Sequence, residues 1–381
     1  MILTNCAACA APLPRPAKQC SRCKTLYCGP ACQKQHWKCG GHDALCKKIK
    51  KGGGAEQYHA NKKNKEAVVV AVEKCAADTK GQKCYICLEA VHPRTGEGLV
   101  RGCACGDRDG VKSPELGVAH VSCLARQAQL AVEEAEDNNF RGTGRFDERW
   151  ARWNTCSLCE QSYHGVVSCA LGWACWKTYV GRPEDDWARG AAMLLLGNGL
   201  YRAEHYEDAL SVMEALLDAE RRSGLLGGEC ILATQTNIAR CYMALGRPEE
   251  TVAIERELYA RAKYLMGPVH EGTLSNALNL ISSFVELGRH TEAKALGHEI
   301  IPLCRRAWGS NHKMTLSLRL NFAEALFTDP TASRADVLQA VAILEDVARG
   351  LRRVLGNHPD TTEALRLLEG ARMKREDVAA P

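Results

Sequence analysis

Two strings of cysteine and histidine dominate the first half of this chain. The first runs Cys6-x2-Cys9, Cys20-x2-Cys23, Cys28-x3-Cys32 and His42-x3-Cys46; the second runs Cys84-x2-Cys87, Cys103-x-Cys105, His120-x2-Cys123 and Cys156-x2-Cys159. Zinc takes four sulfur or nitrogen ligands tetrahedrally, and a pair two or three residues apart can reach one ion. Each string supplies eight such residues, so each implies two ions, and four zinc ions per chain are expected. His36-x2-Cys39 has ligand spacing too, and stays open as a replacement for His42 and Cys46. Of the 21 cysteines, all but Cys230, Cys241 and Cys304 precede Arg182. Short pairs accompanied by histidines, with no basic-then-hydrophobic start in Met1–Ala11, point to thiolate ligands in a reducing compartment rather than to a disulfide framework.

The first string, including Gln33 and Trp37 within Cys32-Gln-Lys-Gln-His-Trp, resembles the MYND zinc finger over its whole length. That resemblance implies interleaved sites: Cys6, Cys9, Cys28 and Cys32 on one ion; Cys20, Cys23, His42 and Cys46 on the other. It also implies a groove for short proline-containing peptides, against the plainer role of an architectural knot.

The second string, with Cys-Tyr-Ile-Cys-Leu-Glu at 84–89, Arg-Gly-Cys-Ala-Cys at 101–105 and Trp153-Asn-Thr-Cys-Ser-Leu-Cys, resembles the RING-CH variant of the RING finger. A PHD finger has the same ligand order, but its aromatic just before the last pair is replaced here by Asn154 and Thr155. The resemblance implies Cys84, Cys87, His120 and Cys123 on one zinc, and Cys103, Cys105, Cys156 and Cys159 on the other. It further implies that Ile86, Trp153 and Leu158 dock a ubiquitin-conjugating enzyme, with a small apolar core as the alternative use of these three. Such a module has no nucleophile and no catalytic residue of its own; it acts by positioning. The loops of 14 residues before His120 and 32 before Cys156 are long for this family. Glu160 and Gln161 stand where many active RINGs carry an arginine.

The elements that position these residues are legible in part. Lys47, Lys48, Lys50, Lys51, Lys62, Lys63 and Lys65 flank Gly52-Gly53-Gly54 and read as a solvated face, with a nuclear address or nucleic-acid contact as alternatives. Residues 56–78, rich in Ala, Lys and Glu, predict a helix. After Cys123, the spacing of Leu124, Ala128, Ala131, Val132 and Ala135 predicts another. Residues 163–180 carry His164, Cys169 and Cys175 in an apolar stretch that reads as packing rather than as a further metal site.

From Ile231 onward Asn237, Asn279 and Asn321 recur every 42 residues, as do Gly246 and Gly288, Gly267 and Gly309, and His270 and His312. A fixed period of this size means stacked units. Each unit reads helix, Leu-Gly-Arg turn, helix, Gly-x-x-His loop, and this resembles tetratricopeptide repeats of the kinesin-light-chain type. Such solenoids offer peptide grooves, and Asn237, Asn279 and Asn321 are the candidate contacts, hydrogen bonding between helices being the alternative.

The expected fold is mainly α: two small zinc-stabilised cross-brace modules followed by an α-helical tetratricopeptide-like solenoid. The expected boundaries are 6–46 for the MYND-type finger, 47–80 for the basic linker and helix, 84–160 for the RING-CH-type finger, 161–186 for an apolar connector and 187–375 for the repeats. The expected function is a ubiquitin ligase that recruits protein substrates through repeats and MYND finger, or a non-catalytic adaptor. A methyltransferase would need a cofactor-binding domain for which no chain is left. The longest apolar run, Ala191–Leu196, is far short of the ~20 residues that span a bilayer. Partners are expected to be proteins in cytoplasm or nucleus, with no membrane; a formal charge of +5 does not argue for nucleic acid.

Overall fold

The computed structural model describes residues 5–11, 13, 14, 16–103, 105, 117–223 and 228–379. Two compact units are present, one built from residues 1–102 with 117–225 and the other from residues 103–116 with 226–381, which hold the repeats.

In the first unit, β1 (Lys18–Gln19) pairs antiparallel with β2 (Leu26–Tyr27). Helices α1 (Pro30–Cys39) and α2 (His42–Lys51) follow, joined by Gly40 and Gly41; a left-handed φ of 70° at Gly41 makes so tight a link possible. The core here consists of Cys6, Cys20, Cys23, Cys46, Tyr27, Ile49 and Ala55. Most of it is candidate ligands, so some forty residues have almost no apolar core without metal. Ala55 opens α3 (Ala55–Cys75), the helix predicted after the glycines.

Next, β3 (Val100–Arg101) pairs antiparallel with β4 (Val118–Ala119), and α4 (Val121–Asp137) starts directly after His120. Leu124, Ala128, Val132 and Ala135 are buried on one face of α4, the stripe its sequence predicts, with Ala131 half-buried beside it. After α5 (Gly144–Trp150) and a 3-10 turn at Ala151–Trp153 comes α6 (Gly165–Tyr179), buried nearly all round. Cys169 and Cys175 lie within this buried helix and belong to no metal-type cluster among the described residues.

Helix α6 packs on α3, α4 and α7 (Trp187–Arg202), and α8 (Tyr206–Ser223) packs on α7. Close contact of α6 with α7 depends on two glycines. A Cβ on Gly199 would stand 2.7 Å from the Ser168 carbonyl oxygen, and one on Gly172 would stand 3.0 Å from the Leu196 Cα. Two-pronged ion pairs fasten the edges: Arg182 donates to both carboxylate oxygens of Glu136 at 2.8 Å, and Arg189 to both of Glu56 at 2.9 and 3.2 Å. The pair α7 and α8, grouped with the repeats on sequence, therefore sits in the same compact unit as the cysteine-rich modules.

The second unit is a helical stack: α9 (Gly228–Ala244), α10 (Pro248–Met266), α11 (Glu271–Glu286), α12 (His290–Trp308), α13 (Lys313–Thr328), α14 (Arg334–Leu355) and α15 (Pro359–Ala379). The 42-residue recurrence separates the first residues of α10 and α12, and those of α11 and α13. Each recurrent residue has a physical task. Gly246 and Gly288 turn the chain within a unit at φ 76° and 69°, while Gly267 and Gly309 turn it between units at φ 88° and 89°. His270 and His312 cap α11 and α13, their Nδ1 atoms accepting the Gly272 and Met314 amide hydrogens at 3.2 and 3.3 Å. His358 repeats this with Asp360 at 3.2 Å. The lengthened turn after α13 ends in a capping box formed by Ser333 and Asp336.

Odd-numbered helices α9, α11, α13 and α15 touch one another in sequence, and Leu274, Leu280, Ile281, Leu316, Leu320 and Leu326 from this layer fill the core. Between α10 and α12 run ion pairs of Arg256 with Glu292 and of Lys263 with Glu299, the latter at 2.7 Å. No described helix is long and apolar enough to cross a membrane.

Candidate metal centres

Four sites in the cysteine-rich modules share one backbone device. At Cys6, Cys20, Cys84 and Cys156 the chain makes a knuckle in which the residue five positions on accepts the cysteine's N–H. The residue four positions on donates its N–H to the cysteine's carbonyl, at 2.9 Å in all four cases. That fourth residue is left-handed each time: Ala10 at φ 57°, Lys24 at 63°, Leu88 at 64° and Glu160 at 59°. None is glycine, and a left-handed L-residue costs about 1–2 kcal/mol. Something must hold each knuckle in that shape. Amide hydrogens aimed at sulfur, Ile86 N–H to Cys84 Sγ at 3.4 Å and Leu158 N–H to Cys156 Sγ at 3.5 Å, favour the thiolate form.

The knuckles are paired by the rest of the fold. The donor atoms of Cys6, Cys9, Cys28 and Cys32 lie within 4.8 Å of one another, as do those of Cys20, Cys23, His42 and Cys46; of Cys84, Cys87, His120 and Cys123; and of Cys103, Cys105, Cys156 and Cys159. These are the four sets that the resemblances implied. His36 and Cys39 stand apart: His36 Nδ1 bonds the Tyr27 hydroxyl at 3.1 Å, and Cys39 is exposed. Between the two alternatives left by spacing, His42 and Cys46 are the residues brought to the cluster.

Spacings in three of the sets are close to those of ligands around a zinc ion, with Cys28 and Cys32 Sγ nearer at 3.3 Å. Tetrahedral ligands at about 2.3 Å from an ion sit roughly 3.8 Å apart, or about 3.5 Å for a sulfur and a nitrogen. Cys9 and Cys28 Sγ are 3.7 Å apart and Cys20 and Cys46 Sγ 3.8 Å, while Cys23 Sγ lies 3.4 Å from His42 Nε2 and Cys87 Sγ 3.3 Å from His120 Nδ1. The two histidines thus use opposite ring nitrogens.

Electrostatics point the same way. Burial pushes the Cys6 thiol up, but hydrogen bonds from the backbone of Cys28, Ala8 and Cys9 outweigh it and bring it down to about 6. In the same cluster, the hydrogen bond with Cys28 pushes Cys32 up to about 12. Burial, reinforced by Cys23 and Cys20, likewise pushes Cys46 up to about 12. Burial also lowers His42 and His120, which favours the neutral imidazole that can ligate. Four clustered thiols cannot ionise together unless a cation balances them, and a divalent ion removes that conflict.

No family model matches the chain, and no curated protein sequence matches it. Among solved structures, the TPR-like repeats of a kinesin light chain from Podospora anserina, in two forms that differ by one substitution, share 19% identity at TM-scores of 0.39 and 0.38, each covering 61% of this chain and 97% of that one. BtubC (BKLC) from P. vanneervenii shares 13% identity at 0.37, over 68% of this chain and 93% of its own. The chain is a helical-repeat protein carrying four Cys/His groups positioned to bind metal ions.

Of the apolar residues expected to dock a conjugating enzyme, Ile86 and Leu158 are 36% and 48% exposed, each at the tip of a knuckle. The two tips are neighbours, because the Tyr85 hydroxyl bonds Ser157 Oγ at 3.1 Å and Gln127 on α4 at 3.4 Å, and Ser157 also reaches Gln127. Trp153 is a correction. It is fully buried, edge-on to Tyr179 at 5.9 Å, and offers no surface, because the 3-10 turn that carries it faces the core. Leu130, one turn beyond Gln127 on the same face of α4, is 48% exposed and was missed by sequence reading. Its signal was present: Leu130 falls off the buried stripe of α4. Leu88, in the same knuckle as Ile86, is also exposed.

The recurrent asparagines are not equivalent. Asn321 donates to the Leu278 carbonyl oxygen at 3.4 Å, a bond between neighbouring units. Asn237 accepts from Arg240 at 3.5 Å, and the Asn279 Nδ2 atom is buried with no partner among the described residues.

Proposed function

We propose that the chain is a zinc protein whose 84–160 module, of RING-CH type, docks a ubiquitin-conjugating enzyme. Its repeats and MYND-type finger recruit the protein to be modified. One observation carries the reading: exposed Ile86 and Leu158 sit on two knuckles beside two candidate metal centres, tied to each other and to α4 by Tyr85, Ser157 and Gln127, with exposed Leu88 in the first knuckle and exposed Leu130 one turn on from Gln127. Two metal-held knuckles and one helix can present such a patch in fixed geometry, which is what positioning catalysis requires. Cys84, Cys87, His120 and Cys123 would hold one ion, and Cys103, Cys105, Cys156 and Cys159 the other. The ions supply structure, not chemistry, and ubiquitin transfer would use the nucleophile of the recruited substrate. In the repeats, Asn321 serves the stack and the Asn279 Nδ2 atom is buried, which leaves the half-buried Asn237 as the one of the three asparagines open to a peptide.

The adaptor reading draws on a specific feature. After Cys159 the chain has Glu160, an acid, and Gln161, which is buried and unavailable to a partner. An autoubiquitination assay across a panel of conjugating enzymes separates the two. Chains made by the wild type and lost in Ile86→Ala at equal zinc content support the ligase; silence across the panel with all four sites loaded supports the adaptor.

A further inference from the structure

The formal charge of +5 conceals a segregation. Residues 1–75 carry 14 Lys and Arg against 4 Asp and Glu, whereas residues 76–381 carry 36 against 41. Seven thiolates balanced by two divalent ions would still leave the first module strongly positive.

The structure concentrates this charge. On α2 the inward face is given to His42, Cys46 and Ile49, and every other position from 47 to 51 is an exposed lysine. None of Lys47, Lys48, Lys50 and Lys51 forms an ion pair with a described carboxylate, in contrast to Lys62 and Lys63 on α3, which share Glu66. One or two lysines would suffice to complement the carboxyl end of a helix; four in five positions repel one another. Two residues before α2, α1 ends with exposed Lys34 and Lys38 flanking Trp37. The Trp37 indole is 44% exposed and packs its other side on His42, with ring centroids 5.6 Å apart. From His42 to Lys50 the helix runs about 12 Å. An accessible indole and a row of unpaired ammonium groups therefore lie within the span of a few nucleotides.

We propose that the α1–α2 face of the first module binds single-stranded nucleic acid, with the lysines on phosphates and Trp37 stacked on a base. An acidic protein segment would use the lysines, but would need a proline or apolar side chain in register to use the indole placed among them. Every base of a single strand has a face to stack, and stacking on an aromatic tolerates any sequence. This surface is separate from the apolar patch at Ile86 and does not depend on ligase activity.

The test is fluorescence anisotropy of zinc-loaded full-length protein with a labelled single strand of about 20 nucleotides, and with the matching duplex, across a salt series. Binding is expected to weaken steeply with salt. Replacing Lys47, Lys48, Lys50 and Lys51 with Gln together should lower the slope of log K against log salt by about three, at roughly 0.7 per phosphate contact on a single strand. Trp37→Leu should weaken single-strand binding about tenfold with the slope unchanged. Ultraviolet crosslinking of the wild type, read by mass spectrometry, should give a Trp37–nucleotide adduct, and this stands independently if Trp37→Leu loses zinc. Absence of binding at low salt, equal affinity of the fourfold lysine variant, lack of the Trp37 adduct, or a polyglutamate peptide competing as well as the strand would each overturn the proposal.

Discussion

Exchanging Trp153 for Leu130 in the proposed docking surface makes a sharp prediction, since the two residues have opposite burial. Leu130→Ala removes a side chain that is 48% exposed in the free protein. Complete burial of a leucine is worth ~1.5–3 kcal/mol, so burying the exposed half on docking contributes about 1 kcal/mol, or five- to sixfold in Kd. The same change should alter stability by less than ~0.5 kcal/mol, as for most surface substitutions. Trp153→Ala should behave in reverse. Losing a fully buried indole that packs on Tyr179 should cost about 3–5 kcal/mol of stability, while molecules that remain folded dock normally. The assay is calorimetric titration with the conjugating enzyme that supports the most ubiquitin discharge, alongside thermal unfolding and zinc content. The reasoning fails if Leu130→Ala docks within twofold of wild type. It fails equally if Trp153→Phe, folded and fully metallated, loses docking as Ile86→Ala does.

Chelator challenge should release metal in phases, the first from Cys6, Cys9, Cys28 and Cys32, where Cys9 is exposed and Cys28 and Cys32 are half-exposed, before the wholly buried Cys20, Cys23, His42 and Cys46; simultaneous loss, followed by alkylation mapping, would contradict this. Gly199→Ala should destabilise the first unit by about 1–3 kcal/mol, because the added methyl meets backbone at 2.7 Å, whereas an alanine at exposed Gly181 should be nearly silent in the same melting experiment. Glu255 is buried in the repeats, where its carboxyl bonds Ser283 Oγ at 2.6 Å; burial, aided by Glu286 and opposed by Ser283 and Arg240, pushes that carboxyl up to about 7. Because the folded state holds this proton more tightly than the unfolded chain, its stabilising effect is complete below about pH 4.5 and is lost as pH rises through about 7. Glu255→Gln should therefore slow hydrogen exchange in α10 and α11 strongly at pH 8 and change it little near pH 4.5, after correction for intrinsic rates; equal effects at both pH values would show that Glu255 is ionised in the fold.

The division of labour between sequence and tertiary structure follows from the range of the interactions. Ligand type, ligand spacing and the 42-residue period are local or periodic facts, so the metal chemistry, the helical stack and its turn glycines could be read directly from the residues. The recurrent His270 and His312 were visible as a pattern, but their capping of α11 and α13 needed coordinates, because a histidine Nδ1 is an uncommon cap. Asn321 was legible as a recurrent polar residue, yet its bond to Leu278 runs between units and has no signature in either helix alone.

Which ligands share an ion was open between His36 with Cys39 and His42 with Cys46, since both pairs have workable spacing; folding decided it by placing Tyr27 where it takes His36. Burial was the least legible property. Trp153 and Leu130 differ in exposure because α6 covers one side of the module and leaves α4's outer face bare, and that packing is set by residues far away in the chain, such as Gly172 and Gly199. Sequence by itself determined what chemistry these side chains can do. Only the tertiary structure decided which of them meet one another and which meet solvent, because those choices rest on long-range packing that no local pattern encodes.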